Sequence, residues 1–77
     1  MIGIGDKVII ERISNASLNL YMKCRKMGLS YIKCPCNSKK GMLFEITNLV
    51  SKNGFLLREI HTNLKTVAYI KDIREVQ

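Results

Sequence analysis

The 77-residue chain has no tryptophan, only two phenylalanines and three tyrosines, and a single proline. With so few large rings, its core has to be assembled mainly from aliphatic side chains. One proline and five glycines exclude collagen-like and disordered compositions, and 47% apolar against 25% charged residues is the balance of a folded globule. Cysteine is scarce and odd in number: three thiols cannot all pair within one chain, and they read as reduced thiols of a cytoplasmic protein. No apolar run approaches the roughly 18 residues that span a membrane. The opening Met1–Lys7 carries charge where a signal peptide needs an uninterrupted apolar stretch. Without repeats, linkers or low-complexity runs, residues 1–77 read as one small domain, which excludes a catalytic cleft between two domains.

The most informative absence is acid. From Arg12 to Phe44 there is no Asp or Glu, yet seven basic residues stand there: Arg12, Lys23, Arg25, Lys26, Lys33, Lys39 and Lys40. Thirteen Lys and Arg against six Asp and Glu give the chain +7, and the remainder outside that segment balances at six of each sign. The whole net charge therefore sits in one 33-residue stretch, the pattern of a basic patch facing an acidic partner, of which nucleic acid is the commonest. Ile, Lys and Asn, all with AT-rich codons, supply 25 of 77 residues, which hints at a low-GC bacterium or one of its phages.

The chemistry of an enzyme is missing as well. No glycine-rich phosphate loop follows a strand, since Gly3 and Gly5 precede the first one. His61 is the only histidine, without a nucleophile or orienting partner in the pattern. Asp6, Glu11, Glu45, Glu59, Asp72 and Glu75 are singly placed and read as halves of surface ion pairs, Glu59 with Arg58 for example. Cys24, Cys34, Cys36 and His61 form the one soft-ligand set. The single residue between Cys34 and Cys36 is a poor spacing for structural zinc, so the thiols read as core and a zinc adaptor is a third-ranked alternative. The expectation is no enzyme, no cofactor and no metal.

Lys7–Ile13, rich in β-branched residues, reads as a strand broken at Ser14–Ser17. Leu43–Val50 and Phe55–Ile60 flank Asn53-Gly54, the signal of a hairpin with a type I′ turn. Thr62–Lys65 makes a further turn and Val67–Ile70 a short strand. Lys71-Asp72 turns tightly before Ile73–Val76, a short strand or helical turn. Residues 17–28 carry two patterns. As a strand, Leu18, Leu20, Met22 and Cys24 alternate with Asn19, Tyr21, Lys23 and Arg25. As a helix, Ser14 or Ser17 caps the start, basic residues fill the last turn and Gly28 closes it. The strand is the leading reading, and Ser30–Cys36 then pairs with it as a hairpin. The fold class is accordingly all-β, a small, partly open barrel of about five strands. The alternative is α+β, with a helix at about residues 15–27 on a sheet of about three or four antiparallel strands. The expected core is Val8, Ile10, Leu20, Met22, Ile32, Phe44, Ile46, Leu57, Ile60, Val67, Ile70 and Ile73.

The opening Gly5–Ile10, a long first loop, the Asn53-Gly54 hairpin and the closing Val67–Val76 make the chain resemble the SH3-like barrels of KOW-type and Tudor-type modules. The resemblance implies that architecture, with a short 3₁₀ turn before the last strand at Lys71-Asp72. It carries over no binding residue, because the chain lacks the Tudor aromatic cage and the KOW glycine signature.

On the two-strand reading Tyr21, Lys23, Arg25, Tyr31 and Lys33 project from one face, interleaving two rings with three cations and no carboxylate. Rings stack on unpaired bases and cations neutralise phosphates. Lys26, Lys39 and Lys40 extend the face. The expected function is a small basic module that binds a single strand or a duplex backbone by occupancy. The alternative is a protein-interaction regulator or phage-type inhibitor that docks its basic face on an acidic host protein. A membrane-surface helix ranks last, and both monomer and dimer stay open.

Overall fold

The computed structural model describes residues 2–76, so Met1 and Gln77 lie outside the description. Five antiparallel strands form one open sheet: β1 (Lys7–Ile10), β2 (Phe44–Ser51), β3 (Gly54–Glu59), β4 (Lys65–Tyr69) and β5 (Ile73–Glu75), in the spatial order β4-β3-β2-β1-β5. One helix, α1 (Asn15–Lys26), is inserted between β1 and β2. Single 3₁₀ turns occupy Pro35–Asn37 and Ile70–Asp72, the second of them immediately before β5. The sheet does not close into a barrel; β4 and β5 are its two edges.

Residues 15–26 are a helix where the strand was the leading reading, and composition explains the outcome. The segment contains no Val, Ile or Thr, whereas Leu, Met, Ala, Lys and Arg all favour a helix. Leu20 and Cys24 satisfy both periods, being two steps of two and also one helical turn apart. The deciding neighbours are Ser17, which is buried, and Met22, which is 54% exposed and leaves the expected core. The helix ends in a Schellman motif: Leu29 N–H donates to the Cys24 carbonyl, Gly28 N–H to that of Arg25, and Gly28 takes φ +99°. Leu29 then packs against the cluster beneath the helix.

Ser30–Cys36 is not a strand either. Lys33 donates its N–H to Lys65 O at 2.7 Å and Thr66 Oγ1 donates to Lys33 O at 2.9 Å, which ties the segment to the edge of β4 at one point. Pro35 then fixes the 3₁₀ turn and turns inward, while Cys36, read as a core thiol, is exposed. The Cys34 thiol caps this turn by accepting Cys36 N–H at 3.4 Å.

The sheet buries apolar side chains on both faces. On one, Val8, Phe44, Ile46, Phe55, Leu57, Ala68 and Ile73 form a cluster, with Ile10 and Ile70 half-buried against it. On the other, Leu56 and Val67 meet Leu20 and Cys24 of α1 together with Ile32. The unbroken run Phe55-Leu56-Leu57 is therefore a strand covered twice. Cys24 is in the core, as the reading of the thiols expects, whereas Cys34 is half-buried and Cys36 exposed; Phe55, Leu56 and Ala68 join the core beyond those expected, and Ile60 is only half-buried. Two register shifts in the β2–β3 pairing, between Ile46 and Asn48 and between Leu49 and Ser51, place extra residues on β2, and such bulges bend a strand and increase its twist.

The β2–β3 hairpin stands where Asn53-Gly54 places it, but with different turn chemistry. Ser51 pairs with Gly54, so Lys52-Asn53 make the turn, and neither has a positive φ as type I′ requires. Gly54 serves the helix instead: a Cβ there would lie 2.6 Å from Leu20 Cδ2 and 2.7 Å from Ser51 Oγ.

Two carboxylates expected in surface ion pairs are buried caps. Asp72 Oδ2 accepts from Ser14 N–H at 2.9 Å, from Ser14 Oγ at 2.6 Å and from Ser17 Oγ, while Ser17 Oγ accepts Tyr69 N–H at 2.8 Å. No acidic residue lies in the first turn of α1, so Asp72 supplies from β5's approach the negative charge that a helix N-terminus favours. Glu59 Oε1 accepts the backbone N–H groups of His61 and Thr62 and the Thr62 hydroxyl, closing the β3–β4 turn. Arg58 pairs with Glu45 at 2.6 Å rather than with Glu59.

Candidate nucleic-acid interface

Among the described residues, Arg12 is the one cation of the basic segment that a carboxylate engages in an ion pair. Glu45 takes Arg58 and Lys7, Glu11 takes Arg74 and Arg12, and Glu59 and Asp72 are used as caps. Lys23, Arg25, Lys26, Lys33, Lys39, Lys40 and Lys65 enter no ion pair among the described residues. The positive charge of residues 12–44 is thus presented to solvent largely unneutralised.

The helix distributes the eight expected site residues differently from a hairpin. Tyr21, Lys23, Arg25 and Lys26 are carried on the last turns of α1, where cations offset the negative end of the helix dipole. Tyr21 is not a free stacking platform. The Arg25 guanidinium lies 5.8 Å from its ring centroid and donates to its hydroxyl at 2.9 Å, and the ring also packs against the Leu20 cluster. Tyr31 and Lys33 belong to the extended segment after the helix. Lys39 and Lys40 sit on the loop before β2.

Tyr31, 52% exposed, and Lys33 line a cleft of about 410 Å³ with Met42, Thr62, Asn63, Leu64 and Lys65. Lys65 is the cleft-lining cation that sequence reasoning missed, since it lies 32 positions beyond Lys33 and is brought to it by the Lys33–Lys65 backbone bond. Asn63 has φ +63°, a left-handed conformation that asparagine tolerates, and its Oδ1 accepts from Arg58 at 2.9 Å. The turn that forms this wall is further held by the Glu59 cap, whose hydrogen bonds from Thr62 and His61 outweigh burial and hold its carboxyl below the usual range. An exposed ring beside two cations, with no carboxylate in the lining among the described residues, suits an unstacked base and its flanking phosphates.

Lys39 and Lys40 line a second cleft, of about 540 Å³, together with Ser38, Gly41 and residues of β1 and β5. The loop thus gives residues 38–41 to one cleft and Met42 to the other. Among the described residues no three of His, Cys, Asp and Glu gather as metal ligands. Cys24 is buried in the helix cluster, and burial pushes its thiol above the ordinary value. Cys36 is also raised, first by its hydrogen bond with the Cys34 thiol. No helix among the described residues is long and apolar enough to cross a membrane.

Comparison with protein-family models, with curated proteins and with solved structures yields no match.

Proposed function

We propose that this protein is a small binding module for single-stranded nucleic acid, acting by occupancy, with Tyr31 as the stacking platform and Lys33 and Lys65 as phosphate contacts. The observation that carries it is the cleft joining one exposed ring to two lysines without an opposing carboxylate. Lys23, Arg25 and Lys26, at the end of the helix that leads through Gly28–Ser30 into Tyr31, extend the electrostatic footprint. A strand with splayed bases fits this arrangement better than a duplex, because a ring contributes only where a base is unstacked. The fold reading that accompanies it is an opened relative of the SH3-like barrels. It is supported by the strand order β4-β3-β2-β1-β5, the long connection after β1 and the 3₁₀ turn before β5.

Fluorescence anisotropy with labelled single-stranded and duplex oligonucleotides at about 50 and 200 mM salt tests the function. Binding that favours the single strand, weakens steeply with salt and disappears when Lys33 and Lys65 are both changed to Glu is the expected result. Unchanged affinity in that double variant would remove this cleft as the site.

A further inference from the structure

The second cleft differs from the first in the chemistry of its floor. Ile9 and Ile13 supply aliphatic surface, Ile13 being 37% exposed, and no aromatic ring lines the cleft. Its rim is basic: Arg12 and Arg74 already share Glu11, whereas Lys39 and Lys40 enter no ion pair among the described residues. Ser38 also lines it, and its Oγ is buried without a hydrogen-bond partner among the described residues. A volume of about 540 Å³ falls within the range of formed ligand sites.

We infer that this cleft docks an acidic peptide segment of a partner protein, placing apolar side chains on Ile9 and Ile13 and carboxylates against Lys39 and Lys40. Nucleic acid satisfies only half of this surface: its phosphates suit the lysines, but its bases gain little on branched aliphatic side chains compared with a ring. An Asp- or Glu-rich segment bearing Leu or Ile satisfies both halves. Apolar contact supplies the buried centre and the charges supply orientation and encounter rate. With Tyr31 and Lys65 in the other cleft, the molecule would hold a nucleic acid and a protein at once, in two clefts to which the 38–42 loop contributes.

The test uses the full chain and three labelled probes: a peptide alternating leucine with aspartate, one alternating serine with aspartate, and a single-stranded oligonucleotide. The expected result is saturable binding of the leucine peptide and not of the serine peptide, with amide shifts at Ile9, Ile13 and Lys39 that the oligonucleotide does not produce. Ile13→Ser, at an exposed position outside the helix and strands, should weaken it about tenfold. Lys39→Ala with Lys40→Ala should do the same, while Ile13→Ser leaves oligonucleotide affinity within about twofold. Equal binding of the serine peptide, or undiminished binding by Ile13→Ser, would overturn the inference. So would displacement of the leucine peptide by the oligonucleotide with a matching loss in Ile13→Ser, which would make this cleft part of the nucleic-acid surface. Failure of the Tyr31 cleft to bind oligonucleotide leaves the peptide measurement unaffected, so the two readings fail separately.

Discussion

At the scale of single residues, the molecule depends on two close fits. Gly54 lets Leu20 of α1 rest on the start of β3, so Gly54→Ala overpacks that contact and should destabilise by roughly 1–3 kcal/mol in denaturant unfolding. The Leu20→Ala change should cost less in the Gly54→Ala background than alone, and additive costs would show that the two residues are not in conflict. Asp72 is the other fit. Burial alone would raise its carboxyl, but the hydrogen bonds from Ser14 and Ser17 prevail and hold it below the usual value. Glu59 is displaced in the same direction. A carboxyl with a lowered folded pKa stabilises above its unfolded value, near pH 4, and loses that contribution as pH falls through the folded value. Unfolding free energy should therefore be flat from about pH 7 to 5 and fall below about pH 4. Asp72→Asn should lose roughly 1–3 kcal/mol at neutral pH, because an amide cannot accept all of these hydrogen bonds, and its acid-side slope should be shallower.

At the scale of elements, the helix governs both stability and site. Its C-terminus is closed by Gly28 at φ +99°, so Gly28→Ala should cost about 1 kcal/mol with little effect on oligonucleotide affinity. The two tyrosines should separate cleanly. Tyr31→Ala removes an exposed ring and is expected to cost roughly 1–3 kcal/mol of single-strand binding with no change in unfolding midpoint. Tyr21→Ala should lower the midpoint and leave binding nearly intact, since its ring is engaged by Arg25 and the helix cluster. Equal binding losses in the two variants would place the stacking platform on the helix. The strand pattern over residues 17–28 misleads because a run of eight alternating residues contains Leu20 and Cys24, which a helix also superposes. The lack of β-branched residues across Asn15–Lys26 was the legible signal, and the Gly28 stop agreed with it.

At the scale of the whole molecule, charge and fold address different questions. Salt dependence should report the lysines in contact: each of Lys33→Ala and Lys65→Ala should reduce the slope of log K against log salt by about 0.7 for a single strand. A slope unaffected by either would move the phosphate path elsewhere. Composition and order of residues alone determined the absence of acid between Arg12 and Phe44, the hairpin around Asn53-Gly54, the first strand and the tight turn at Lys71-Asp72. Each of these depends on neighbours in the chain, through β-branching, turn residues or the simple sum of charges. Tertiary structure alone decided that Lys65 joins Tyr31 and Lys33, that Gly54 yields space to Leu20, and that Asp72 caps the helix from the interior. Those are encounters between segments up to 58 residues apart, set by which faces of the sheet must be covered, and no local pattern of side chains encodes them.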